Sequence, residues 1–151
     1  LALYVGLAVG ATAVLIPERP VDFERDVIEN IRRARLAGTT HYMIVVAEGA
    51  GKAFYIGEQI HEAIGIDPRV TVLGHIQRGG SPSARDRETA SRMGYTAVEA
   101  MVADKGNRIV VSKDGRITDL DMEEALAETK EFQMERYDIL EALTNNGISR
   151  F

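Results

Sequence analysis

His75, Gln77 and Arg78 stand within four residues of one another and run directly into Gly79 and Gly80, in the stretch LGHIQRGGSPSARDR (Leu73–Arg87). An imidazole and a guanidinium are donors suited to an anion, and the guanidinium offers a phosphate two bonds in a fixed fork. The glycine pair lets backbone come close without Cβ clashes. A helix opening near Ser81 would add its first amides to the same field. Glu48 brings the opposite chemistry from the end of the apolar run HYMIVVAEG (His41–Gly49): a carboxylate accepts from hydroxyls and repels phosphate. The set suits a ligand with a hydroxyl-rich part and an anionic end, such as a sugar phosphate. No nucleophile paired with a base stands nearby, so these residues read as binders.

Each has a plainer alternative. A His-Arg pair after a strand can be a salt-bridged loop, and Glu48 can cap the neighbouring helix. Arg85, Arg87 and Arg92 alternate with Asp86 and Glu88 and read as a solvated helix face. His41 and His61 read as surface or strand-edge residues. GAGKAF (Gly49–Phe54) lacks both the first glycine of a phosphate loop and the hydroxyl residue after Lys52, and is rejected as one. Arg69 opens the run RVTVLGH (Arg69–His75), six residues from His75, or roughly 20 Å along a strand. It is therefore either a structural arginine or one that serves another subunit's site.

The elements that position these residues follow from periodicity. TAVLIP (Thr12–Pro17) reads as a buried strand. Phe23, Val27, Ile31 and Ala34 then mark one helix stripe, with Gly38 as its stop. HYMIVVAEG is a strand apolar on both faces. Ala53, Ile56, Ile60 and Ile64 mark the next helix, and RVTVLGH reads as a third strand. Ser81 and Pro82 read as the cap and first position of a helix reaching about Lys105, with Ala90, Met93, Ala97 and Met101 inward. RIVVSKDGRITDL (Arg108–Leu120) reads as a hairpin around an Asp-Gly turn. Weaker helices are expected at Met122–Lys130 and Glu135–Leu143. The alternation predicts an α/β fold: three layers, a mainly parallel sheet with helices on both faces. Ligands in such sheets gather outside the carboxyl ends of the strands, where Glu48, His75, Gln77 and Arg78 would lie.

The 151 residues allow one cored domain and fall short of two full ones. A net charge of −5 argues against broad nucleic-acid binding and against an anionic membrane surface, so any phosphate must be met locally. No run approaches the ~20 apolar residues of a membrane helix. The lack of cysteine rules out a disulfide frame or thiolate metal site and fits a cytoplasmic location. The start, already inside an apolar helical pattern without Met or cap, reads as a chain cut within an element.

RVTVLGHIQRGGSP (Arg69–Pro82) resembles the substrate-binding signature of the bacterial ATP-dependent 6-phosphofructokinases. LALYVGLAVGATAVLIPE, VVAEG, ARDRETASRMGYTAVEAM and KGNRIV have counterparts in the same order, and the resemblance weakens after about Asp119. It implies the C-terminal half of an enzyme that transfers the γ-phosphate of ATP to fructose 6-phosphate, giving fructose 1,6-bisphosphate. Residues 1–78 would form the fructose 6-phosphate-binding domain. Residues 79–151 would form a helix-strand-helix continuation, part of it packing on the absent nucleotide domain. Glu48, His75 and Arg78 then match sugar-phosphate ligands, with Gln77 between them, and Arg69 matches an arginine given to the adjacent subunit of a homotetramer.

The resemblance also implies what this stretch lacks. The ATP loop, the magnesium-binding acid and the catalytic aspartate of the family all precede the residue matching Leu1. ATP and Mg2+ are therefore expected of the full-length enzyme, and no catalytic or metal-binding residue is expected in this chain. On its own it should bind the sugar phosphate weakly and not turn over. The family's effector site carries an acid at the position of Ala13, a basic residue at Ala37 and lysines at Thr39 and Thr40; here all four are uncharged. A pyrophosphate-dependent relative and a non-catalytic sugar-phosphate-binding or oligomerisation module remain alternatives, the former disfavoured by His75.

Overall fold

The computed structural model describes residues 1–129, Phe132 and 134–146. In chain order it contains α1 (Ala2–Ala8), β1 (Ala13–Leu15), a π-helical turn (Glu24–Ile28) running into α2 (Glu29–Leu36), β2 (Ile44–Val46), a 3-10 turn (Glu48–Ala50) and α3 (Ala53–Ile64). A second 3-10 turn (His75–Arg78) leads to α4 (Ala84–Val102), the hairpin β3 (Arg108–Lys113) and β4 (Arg116–Asp121), α5 (Met122–Ala127) and α6 (Met134–Asn146). Two compact units result. Leu1–Val72 is joined by Phe132 and α6, and the second unit begins at Leu73. The boundary thus falls ahead of the expected 78/79 division, and the closing helix returns to the first unit.

In the first unit β1 and β2 pair in parallel, Ala13 opposite Ile44 and Leu15 opposite Val46. Strand alternation sends Val14 and Val45 to one face, where they meet Leu3 and Leu7 of α1 and Tyr137 and Leu140 of α6. Leu15, Ile44 and Val46 face the other way, onto Val27, Ile28 and Ile31 and onto Ile56 and Ile60 of α3. Leu15, Val27 and Ile28 are almost fully buried. This is the expected α/β arrangement, with helices on both faces of a parallel pair. The stripes of Phe23, Val27, Ile31 and Ala34 and of Ala53, Ile56, Ile60 and Ile64 are the faces turned inward.

The third strand does not form. Residues 69–74 have no ladder partner among the described residues. Val70 lies instead against α3, where a Cβ on Gly57 would come within 2.9 Å of its Cγ2. Val72 and Leu73 are 66% and 55% exposed. A β-branched run makes a strand only where a neighbour offers its backbone, and here none does.

In the second unit the Asp-Gly turn closes the hairpin as expected, with both residues at positive φ and Lys113 opposite Arg116. Helix α4 packs on that hairpin through Met93, Thr96, Ala97 and Ala100. The inner stripe is thus displaced from the expected one, since Ala90 is exposed and Met101 is 77% exposed. Tyr95, Val98 and Val102 form a second, uncovered apolar row. Ala100 is the one buried apolar residue among the described residues of this unit. The helix expected at Met122–Lys130 ends at Ala127, and Lys130 lies outside the described residues.

Candidate functional site

Turn His75–Arg78 is held by its own backbone. Gln77 N donates to Gly74 O (3.1 Å) and Gly79 N to Ile76 O (3.1 Å). Gly79 ends it at φ +86°, a conformation that a side chain would strain. The Gln77 side chain reinforces the turn by donating Nε2 to Leu73 O (2.6 Å). The His75 and Arg78 side chains are exposed and have no hydrogen bond or ion pair among the described residues. A salt-bridged loop is therefore not what the turn is. It presents two unengaged donors on one short, glycine-bounded segment.

The helix that follows departs from expectation. Its N-cap is Ser83, not Ser81, and its first residue is Ala84, not Pro82. The reason is Asp86. Its amide donates to Ser83 Oγ (3.2 Å), while its carboxylate accepts from Ser83 N and Oγ (both 2.8 Å), closing a reciprocal box that Ser81, with Ala84 three residues on, could not form. Bonds from the Ser83 hydroxyl and then its amide hold the Asp86 carboxyl below the usual range. A carboxylate thus sits at the helix start, bonded to the Ser83 amide and hydroxyl. Along the helix Arg92 pairs with Glu88 at 3.3 Å, the solvated face read from the sequence.

Glu48 lies where the strand reading put it. Ala47 N donates to Leu15 O (2.9 Å), carrying the ladder to the carboxyl end of β2, and Glu48 opens the turn beyond it with its side chain exposed. Gly49 fixes that turn against Pro17: a Cβ there would meet the Pro17 ring at 3.0 Å. Arg69 is exposed, without a partner among the described residues, on the unpaired 69–74 segment. Since that segment is not a strand, the strand-length estimate from Arg69 to His75 loses its basis. Glu48 and Arg69 belong to the first unit; His75, Gln77 and Arg78 belong to the second.

Of the four neutral positions, Ala37 and Thr39 meet at one cavity of about 370 Å³, which Thr12, His41, Leu143 and Thr144 also line. No carboxylate, ammonium or guanidinium lines it among the described residues. Ala13, buried in β1, lines an adjoining cavity of about 120 Å³. Thr40 lines neither.

A model of the phosphofructokinase family matches residues 1–101. The chain belongs to the phosphofructokinase family. It is 49% identical over 144 residues to the ATP-dependent 6-phosphofructokinases of Bacillus thuringiensis (strain Al Hakam) and Bacillus cereus (strain AH187), covering 95% of this chain and 45% of theirs. It thus spans about half the length of these phosphofructokinases. Its fold aligns with Pichia pastoris phosphofructokinase in the T-state at a TM-score of 0.73, with 27% identity over 97% of this chain and 17% of that one. With Saccharomyces cerevisiae phosphofructokinase the TM-score is 0.74, at 26% identity over 97% and 20% of the two chains.

Asp26 is the one buried charged residue among the described residues, 8% exposed, and was not singled out in the sequence. Arg25 clamps it through Nε to Oδ1 (2.7 Å) and Nη2 to Oδ2 (2.9 Å), and Asp22 N donates to Oδ2 (2.8 Å). Burial pushes its carboxyl up, but the Arg25 bonds, the Asp22 amide and the charges of Arg25 and Arg19 together hold it below the usual range. The sequence signal is an acid four residues after Asp22 and directly before the apolar pair Val27-Ile28.

Proposed function

We propose that this chain is the sugar-phosphate-binding portion of an ATP-dependent 6-phosphofructokinase, which transfers the γ-phosphate of ATP to fructose 6-phosphate. The observation that carries this is the turn at His75–Arg78: an imidazole and a guanidinium, both unengaged, on a segment that Gly79 and the Gln77 amide hold in shape, in a chain 49% identical to relatives so named. His75 and Arg78 bind the phosphate, Glu48 accepts from sugar hydroxyls, and Gln77 positions the turn. Arg69 serves the site of the adjacent subunit in a tetramer. The protein works in the cytoplasm.

ATP and Mg2+ are held by the rest of the protein. Among the described residues no group of three or more His, Asp or Glu could hold a metal ion. When bound, the metal would neutralise charge on the transferred group. This chain contributes position: it fixes the acceptor hydroxyl by gripping the far end of the sugar phosphate. The uncovered row of Tyr95, Val98 and Val102, in a unit with one buried apolar residue among those described, supports packing of α4 on the nucleotide half. The neutral lining at Ala37 and Thr39 supports weak control by charged effectors.

The test is steady-state kinetics of the full-length enzyme. His75→Ala or Arg78→Ala should each raise the KM for fructose 6-phosphate about ten- to a hundredfold, for a lost charge-assisted contact of about 1.5–3 kcal/mol, and leave the KM for ATP nearly unchanged. Equal damage to both substrates would assign these residues to the fold instead.

A further inference from the structure

The chain leaves β1 and β2 side by side. Leu15 stands opposite Val46, and Ala47 N donates to Leu15 O at 2.9 Å. The turn Glu48–Ala50 follows at once, closed by Ala50 N on Ala47 O (2.9 Å). Ala47 packs on the core at one face of the strand pair and Ala50 on the core at the other. Glu48 is then the one side chain of residues 47–50 left exposed. Where its carboxylate stands depends on how the backbone between those two anchors is set.

The backbone at Gly49 rests on Pro17, at the exit of β1. A Cβ on Gly49 would come within 3.0 Å of Pro17 Cγ and 3.1 Å of its Cβ, so there is no room for a side chain. The ring has little freedom to retreat. Its own φ is locked, and it takes the second position of a tight turn in which Arg19 N donates to Ile16 O (3.5 Å). Ile16 before it is buried. Arg19 after it is tied to α6, donating Nη1 to Glu141 Oε1 at 2.6 Å with its guanidinium 4.5 Å from the centre of the Tyr137 ring. The turn is thus held on both sides of the proline.

We propose that Pro17 is a positioning residue for the substrate: its ring, against Gly49, fixes the turn that aims Glu48 at the sugar hydroxyls. This rests on the reading of Glu48 as the group that accepts from those hydroxyls. A methyl at position 49 would have to part ring and turn by about 0.5 Å to reach ordinary carbon–carbon contact. Misplacement by about 1 Å can cost on the order of a hundredfold, so this smaller shift should cost about three- to tenfold.

Steady-state kinetics of the full-length enzyme tests this. Gly49→Ala should raise the KM for fructose 6-phosphate about three- to tenfold and leave that for ATP nearly unchanged. Pro17→Ala, which removes the support, should raise the same KM by a smaller factor. The double variant should bind better than Gly49→Ala alone, because the new methyl enters the space the ring vacates. Should Gly49→Ala fail to fold, Pro17→Ala carries the test, and an unchanged KM for fructose 6-phosphate overturns the proposal. So does a Gly49→Ala enzyme that loses both substrates alike, or a double variant no better than the single one. Glu48→Gln separates the two levels. If it raises the KM for fructose 6-phosphate while Gly49→Ala does not, the carboxylate keeps its role and the positioning by Pro17 is refuted. If Glu48→Gln changes nothing, the reading of Glu48 falls, and the proposal falls with it.

Discussion

Replacing Asp26 by asparagine keeps the shape of the most buried acid in the first unit and removes its charge. The substituted side chain could still accept from Asp22 N and Arg25 Nη2 with its oxygen, but its NH2 would face the Arg25 Nε donor now held at 2.7 Å from Oδ1. A hydrogen bond to a charged group contributes about 1.5–3 kcal/mol. Here the Arg25 side chain is 51% exposed and can turn to water, so the low end applies, about 1.5–2 kcal/mol. The sign of the pH dependence follows from the direction of the shift. With its carboxyl below the ordinary 3.8, the folded state releases this proton more readily than the unfolded one. The stability it contributes is complete above the unfolded value and is lost as pH falls through the folded one. Chemical denaturation of both proteins from neutral pH to pH 3 should therefore show Asp26→Asn less stable at neutral pH, with the gap narrowing below about pH 4. A gap that stays constant on acidification, or no gap at neutral pH, would refute the assignment of Asp26 as an ionised structural acid.

With Ala13, Ala37, Thr39 and Thr40 uncharged, phosphoenolpyruvate should inhibit the full-length enzyme poorly and ADP should activate it little. A steep, effector-sensitive saturation curve for fructose 6-phosphate would show that the effector contacts come from other residues. Arg69→Ala should weaken sugar-phosphate binding with little loss of stability, because the side chain is exposed and bonded to nothing described. Hybrid oligomers of Arg69→Ala and His75→Ala subunits should regain affinity that neither parent oligomer shows, and hybrids that form without regaining it would place Arg69 in its own subunit's site or in none.

The two sides of the expected fold were not equally visible to sequence reasoning, and the reason is locality. Helix stripes such as Val27–Ile31 and Ile56–Ile60 repeat at a period the residues themselves display, and the Asp114-Gly115 turn needs only its own backbone. Each could be read without knowing its neighbours. Strand RVTVLGH carries the same kind of local signal as TAVLIP, yet only the latter finds a ladder partner, at Ile44–Val46. Pairing is a property of two segments, and a one-segment pattern cannot report it. The same distinction runs through the candidate site. Chemistry that a side chain carries by itself, as in Arg78, His75 and Glu48, could be read from residue type. Chemistry created by juxtaposition could not: the Asp86 carboxylate boxed with Ser83 at the start of α4, the Arg25 clamp on Asp26, and Arg19 between Glu141 and Asp26 all depend on distances. It follows that substitutions at His75 and Arg78 should act on ligand affinity alone. Substitutions at Asp26 and Arg19 should act on the shape of the first unit, whatever ligand is present.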